Sequence, residues 1–192
     1  MGHGMFSRNL PGTALPSPVR HYLNPTMLTQ SATSASFVIH TINESDRAKF
    51  MQIRKIALET DPQAFLGTAD ESESAWKERF ENPNWRFFGA EQDDVLIGIA
   101  GLDKIGDGIW ELVAVYTLPE YRHHGIARNL VTFAIEEAKK MQAKKLTLFV
   151  NMKQTDALII YQGMGFSIVR EEENTMADGA IHREYFMEKV LG

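Results

Sequence analysis

The 192-residue chain contains no cysteine. That excludes disulfides, a thiolate nucleophile, Cys-ligated zinc and iron–sulfur clusters. It also lacks any apolar run of about 18 residues, so no segment reads as a membrane-spanning helix. Carboxylates and lysine are missing from residues 1–43, and the first acid is Glu44. Arg8 and Arg20 give that stretch +2. Of the 20 basic residues, the other 18 face 25 acidic ones, net −7, and the chain as a whole is −5 at pH 7. This balance argues against nucleic acid as a partner and leaves cationic partners open.

Residues 1–36 carry Pro11, Pro16, Pro18 and Pro25 with many Ser and Thr, and show no strand or helix periodicity. They are expected to form a disordered or extended tail, followed by one domain over 37–192. Three further readings compete for the tail: a transit peptide, an over-extended start with Met27 as the true first residue, or a functional arm. The expected location is the cytoplasm, or an organelle if the tail is a transit peptide.

Beyond the tail, 44% hydrophobic and 23% charged residues give a globular composition. Phe37–Ile42 alternates as a strand. Asn43, with Asp46 three residues on, reads as a helix cap, and Phe50, Ile53 and Ala57 fall on one helical face. Asp61-Pro62 ends that helix, and a second, more polar one is expected over 71–81. Strands are expected at Trp85–Glu91, Val95–Lys104 and Ile109–Thr117. The turns between them are Asp93-Asp94 and Gly106-Asp107-Gly108, and Gly98 and Gly101 are possible bulges. A long helix Gly125–Met141, a buried strand Leu146–Val150 and a helix Thr155–Met164 follow. Phe166–Val169 and Arg183–Val190 are read as a last hairpin around a polar loop. The pattern is a single mixed α/β domain.

The most informative stretch is Arg122-His123-His124-Gly125-Ile126-Ala127, which follows a strand and opens the long helix. A helix N-terminus offers unpaired N–H groups and a positive dipole end, which suits a phosphate. Gly125 allows close approach, and Arg122 could add a charge-assisted contact. The stretch is neither a dinucleotide fingerprint nor a P-loop. On its own it could equally be an ordinary strand–loop–helix turn. His123-His124 lacks a third ligand at metal-binding spacing, so no metal is expected.

Downstream come Asn151, Gln154, Ala157, Tyr161, Gly165 and Phe166. Taken with Arg122, Gly125 and Ala127, this order of elements and residues resembles the GNAT N-acetyltransferase superfamily over residues 37–190. Gln154 departs from the family's commoner Asn. The resemblance implies a GNAT acyl-CoA N-acyltransferase fold: a central mixed, mostly antiparallel sheet, splayed between two parallel strands and flanked by about four helices. It implies acetyl-CoA as co-substrate. The pyrophosphate would sit on the backbone of Arg122, His123, His124, Gly125, Ile126 and Ala127. The pantetheine arm would run along Val115, Tyr116 and Thr117, with Asn151 and Gln154 across the splay.

Glu111 is the only acid inside the apolar strand Ile109–Thr117, and a carboxylate in such a place needs a reason. Its position matches the general base of histone-acetylating family members. Other members place a carboxylate on the next strand, where this chain has Phe149. The competing reading of Glu111 is a strand residue turned to solvent or paired with an arginine. Tyr161 matches the family phenol aimed at the CoA sulfur, as an acid or as a thiolate stabiliser. Its other reading is a core aromatic.

The implied reaction is acetyl transfer to a primary amine by direct attack in a ternary complex, with a small-molecule amine or polyamine as acceptor. A protein N-terminal or lysine acetyltransferase is the alternative, as is a non-catalytic acyl-CoA-binding domain. The acidic run Glu171–Glu173 with Asp178 would favour a cationic or peptide amine. No nucleic acid or membrane partner is expected, and the chain is expected to be a monomer or homodimer.

Overall fold

A computed structural model describes residues 36–65 and 73–192 of the chain. The expectations for residues 1–35, and for the first two residues of the helix read over 71–81, lie outside these residues. Strand β1 is Val38–Thr41. Asn43 then caps a 3-10 turn, Glu44–Asp46, through a capping box. Its Oδ1 accepts from Ser45 N–H at 2.9 Å, and Asp46 Oδ2 accepts from Asn43 N–H at 3.1 Å. Helix α1, Arg47–Thr60, continues from that turn and buries Phe50, Ile53, Arg54, Ala57 and Leu58. Asp61-Pro62 stops it and leads into a second 3-10 turn, Pro62–Ala64. Helix α2 is Glu73–Glu81.

Strands β2 (Trp85–Gln92), β3 (Val95–Gly106) and β4 (Ile109–Thr117) form an antiparallel meander. Asp93 and Asp94 both take positive φ, which matches the primed turn of a two-residue hairpin. Helix α3, Ile126–Lys140, crosses over to β5, Lys145–Asn151, which pairs parallel with β4. Helix α4, Thr155–Gly163, precedes the antiparallel pair β6 (Ser167–Thr175) and β7 (Ile181–Val190). The seven strands lie in the order β1-β2-β3-β4-β5-β7-β6. The result is a mixed sheet with one parallel pair, flanked by four α-helices among the described residues.

Two expectations need correction. Most of the polar loop read between residues 169 and 183 is strand. β6 is an edge strand and largely exposed, so both its faces are polar and the alternation that betrays a half-buried strand is missing. Backbone pairing with β7 and a cross-strand contact, Arg183 Nη2 donating to Glu171 Oε2, hold it instead. The bulges fall beside the glycines rather than on them. β3 carries an extra residue, Ile97, opposite Ala90 and Glu91. β4 carries one at Ala114, whose φ is +53°, where the register steps from Gly101–Val113 to Ile99–Tyr116. Gly98 serves close packing: a Cβ there would lie 2.9 Å from Ile126 and 3.0 Å from Leu130. The first turn and a half of α3 is therefore seated against β3.

The core lies on both sides of the sheet. α3 packs Ile126, Leu130, Val131, Ala134 and Ala138 against β3 and β4. Each large aliphatic side chain so buried stabilises the fold by about 1.5–3 kcal/mol over its exposed state. An aromatic cluster involves α1 and α2. Phe50 meets Trp76, Phe80 and Phe87 at centroid separations of 5.4, 5.4 and 4.8 Å. Among the described residues, no helix is long and apolar enough to cross a membrane.

Candidate active site

β4 and β5 pair only at Ile109–Lys145, Trp110–Leu146 and Glu111–Thr147. Beyond Glu111 the two strands part. β5 keeps its bonds to β7 out to Asn151, and β4 keeps its bonds to β3, with the bulge at Ala114 inside the diverging stretch. The sheet opens into a V, and a cavity of about 730 Å³ fills the opening. Leu112–Thr117 form one wall; Phe149, Val150, Gln154, Ala157, Ile160 and Tyr161 form the other.

The N-terminus of α3 closes one end. Gly125 precedes the helix in the left-handed region, φ +78°, and accepts from Asn129 N–H at 3.0 Å. The first N–H groups of α3 therefore point out of the helix with no intrahelical acceptor. His123, at φ +64°, helps bend the loop around this point. A Cβ on Gly125 would touch only Asn129 Nδ2, at 3.8 Å, so the space before the helix is open.

Every site residue named from the sequence lies on the cavity wall except His124 and Asn151. His124 is exposed, its Nδ1 2.7 Å from the Arg122 carbonyl. Asn151 is buried and braces its surroundings. Its Nδ2 donates to the Gln63 carbonyl at 3.2 Å, and its Oδ1 accepts from Lys153 N–H at 3.0 Å. Arg122 turns toward the protein. Its Nε donates to the Thr117 carbonyl at 3.2 Å and its Nη2 to Asp61 Oδ2 at 2.6 Å. The arginine thus ties the loop before α3 to the end of β4 and the end of α1. Tyr116 reaches the same helix end through its hydroxyl, 2.8 Å from Thr60 Oγ1. Thr117 Oγ1, on the wall, is buried with no hydrogen-bond partner.

Glu111 is half-buried. Burial pushes its carboxyl above the usual range, and the nearby acids Asp103, Glu184 and Glu172 push the same way. Asp103 is its direct partner across β3 and β4. Tyr161 is buried edge-on to Phe166, at 5.9 Å, and burial raises its phenol well above the ordinary tyrosine range.

Several wall residues were not singled out from the sequence: Arg54, Trp76, Arg79, Trp85 and Asp103. Glu184, buried and accepting from Asn174 Nδ2 at 2.9 Å, was missed too. Arg54 did leave a signal. It sits four residues after Phe50 and three before Ala57, on the apolar face of α1, where a charge is out of place. Asp103 opposite Glu111 could be counted back from the Gly106-Asp107-Gly108 turn only by allowing for the register shift near that turn.

A sheet split at a parallel pair, with a helix N-terminus at one end of the split and a carboxylate at the other, is the architecture of an acyltransferase. The chain belongs to the acetyltransferase (GNAT) family, whose model matches residues 50–166. An uncharacterized N-acetyltransferase of Escherichia coli K12, YjgM, is 29% identical over 90 residues. That match takes in 45% of this chain and 54% of the relative, so the chain spans about half the length of that curated protein. Among solved structures, the ribosomal-protein-alanine N-acetyltransferase of Brucella melitensis superposes with a TM-score of 0.71 at 22% identity. It covers 80% of this chain and 99% of its own. The yncA protein of Salmonella typhimurium, solved with its cofactor acetyl-CoA, gives 0.70 at 17% identity, covering 82% and 95%.

Proposed function

We propose that the protein is an acetyl-CoA-dependent N-acetyltransferase acting on a primary amine by direct attack in a ternary complex. The observation that carries this reading is the V between β4 and β5, with the N-terminus of α3 at one end and Glu111 at the other. Glu111 and Thr117 are six residues apart, at most about 20 Å along β4, which the bulge at Ala114 shortens. That separates an anion-binding end from a proton-accepting end.

The residues present fit the co-substrate. The N–H groups before and within the first turn of α3 suit a pyrophosphate, and the open space before Gly125 admits it. The β4 edge from Val113 to Thr117 is not paired to β5 and can accept an amide-bearing arm as an added strand. Acetyl-CoA would supply an activated acetyl thioester at the middle of the V. Arg122, with its fork on Asp61 and Thr117, holds the loop shape on which the phosphate contacts depend.

The acceptor amine must lose its proton before attack, since an alkylammonium has a pKa of about 10.4. Glu111 accepts that proton, directly or through water. A β4 N–H freed by the bulge at Ala114 can polarise the carbonyl under attack. Tyr161 faces the departing sulfur. A thiol has a pKa of about 8.5, while burial raises the phenol far above it, so the proton stays on oxygen. Tyr161 therefore stabilises the thiolate by donating a hydrogen bond rather than by giving up its proton.

The test is thiol release from acetyl-CoA with a panel of amino acids, polyamines, aminoglycosides and peptides bearing free N-termini or lysines. Turnover with at least one amine is expected. Tight CoA binding without thiol release from any of them would replace the enzyme by a ligand-binding domain.

A further inference from the structure

Among the described residues, five side chains of full positive charge line the cavity: Arg54, Arg79, Arg122, Arg128 and Lys153. Three of them are already engaged. Arg54 and Arg79 lie over the Trp76 ring, 4.5 and 4.6 Å from its centroid. Arg122 has its fork on Asp61 and the Thr117 carbonyl. Arg128 and Lys153 are exposed, and among the described residues neither side chain makes an ion pair or a hydrogen bond.

The positions of these two cations go against local helix electrostatics. Arg128 is the third residue of α3, and Lys153 stands two residues before α4. The N-terminal end of a helix carries partial positive charge, so a cation there is repelled and an acid is preferred. The first turn of α3 holds no acid, and that of α4 holds only Asp156. Neither helix start has a side-chain cap hydrogen bond. Two helix starts, each with a cation, therefore border one cavity. An anion bound between them would relieve the conflict at both. Asp156, also on the wall, opposes them as one acid against two cations.

The chain beyond residue 43 is net −7, which repels an anion at long range, so local charge must overcome that field. The N–H groups of α3 suit the pyrophosphate of CoA. CoA carries a second, separate anion, the 3′-phosphate on its ribose. A phosphomonoester bears about −1.5 to −2 charge at pH 7 and three strong acceptor oxygens. The fork of an arginine and the point charge of a lysine both match such a group.

We infer that Arg128 and Lys153 bind the 3′-phosphate of CoA, one from the start of α3 and one from the start of α4, and so select CoA over dephospho-CoA. This rests on the CoA-binding half of the reading above and not on its acceptor or its chemistry.

The experiment is calorimetric binding of CoA and of dephospho-CoA to the full chain at two salt concentrations. The wild-type protein is expected to bind CoA about tenfold more tightly, the value of a charge-assisted contact reduced for exposure. That preference is expected to shrink at high salt, which screens exposed charges. Arg128→Gln and Lys153→Gln should each lower CoA affinity about threefold and leave dephospho-CoA affinity nearly unchanged. The double variant should bind the two ligands equally, while Lys153→Arg should keep the preference. Thermal melts of the free variants check that the fold is kept. Equal binding of the two ligands by the wild-type protein, or an undiminished preference in the double variant, overturns the inference. Thiol release with an amine alongside either of those results leaves the acetyltransferase reading standing. Binding of neither ligand overturns both.

Discussion

Replacing Glu111 by Gln should move activity and stability in opposite directions. At pH 7.4 an amine of pKa about 10.4 is neutral in about one molecule in a thousand. A positioned base removes that handicap, and such bases contribute roughly 10²–10⁴-fold. Glu111→Gln should therefore lower kcat by about a hundredfold or more at neutral pH, which is about 2.7 kcal/mol of barrier. The variant must rely on the neutral fraction of the amine, which rises about tenfold per pH unit. The wild-type rate is flat once Glu111 is ionised, so the deficit should shrink about a hundredfold between pH 7 and 9.

Stability responds with the other sign. Burial and the acids Asp103, Glu184 and Glu172 raise the Glu111 carboxyl above its ordinary 4.5. The folded state then holds the proton more tightly than the unfolded chain. Stability is lost as pH rises from that ordinary value through the folded one. Above this window the ionised carboxylate is a cost that Gln does not incur. The Gln protein should therefore melt at or above the wild-type temperature at pH 7.5, with the difference fading in acid. The assays are pH–rate profiles by thiol release and thermal melts at pH 5 and 7.5. Wild-type turnover in the variant, or parallel pH profiles, would refute Glu111 as base. A clear drop in melting temperature would make it a structural residue instead.

Tyr161→Phe should lower kcat about ten- to a hundredfold, the value of a hydrogen bond to a charged atom, while acetyl-CoA affinity by calorimetry changes little. Because burial raises the phenol, wild-type activity should show no Tyr161 ionisation between pH 8 and 9.5. Gly125→Ala meets open space but must hold a positive φ, so it should cost about 1–2 kcal/mol of stability in denaturant melts. It should also weaken acetyl-CoA binding, because the added methyl stands before the helix N-terminus. Gly98→Ala drives a Cβ into Ile126 and Leu130 and should cost about 1–3 kcal/mol by overpacking. Its mark is a raised KM for acetyl-CoA, since those residues seat the start of α3; an unchanged KM at lowered stability would uncouple the two.

Much of the fold was legible because its signals are local. Asn43 and Asp46 form the expected capping box, Asp61-Pro62 stops α1, and Ile109–Thr117 is β4 end to end. Where local signals were weak, reading fell short. β6 sits exposed at an edge and has no apolar stripe. The bulge at Ala114 falls on a residue with no tendency to positive φ, so nothing local marks it. The cavity wall was legible on β4, on the loop before α3 and on α4, where residues follow one another in sequence. It was not legible on α1 and α2. Arg54 and Arg79 reach the site only through the way those helices lie over β2 and β3.

By itself, then, the sequence determined the order of strands and helices, the turns between them and the glycine before α3. Periodicity, caps and turn chemistry act over a few residues, and each can be read where it stands. The tertiary structure alone decided where β4 leaves β5, because that depends on registers accumulated across three strand pairs and three register shifts. It also decided what surrounds Glu111. Asp103 is eight residues away along the chain, but Glu172 and Glu184 are more than sixty, and only the folded sheet brings their charges to bear on one carboxyl. Burial and charge act through space, so the chemistry of that residue belongs to the fold and not to its neighbours in sequence.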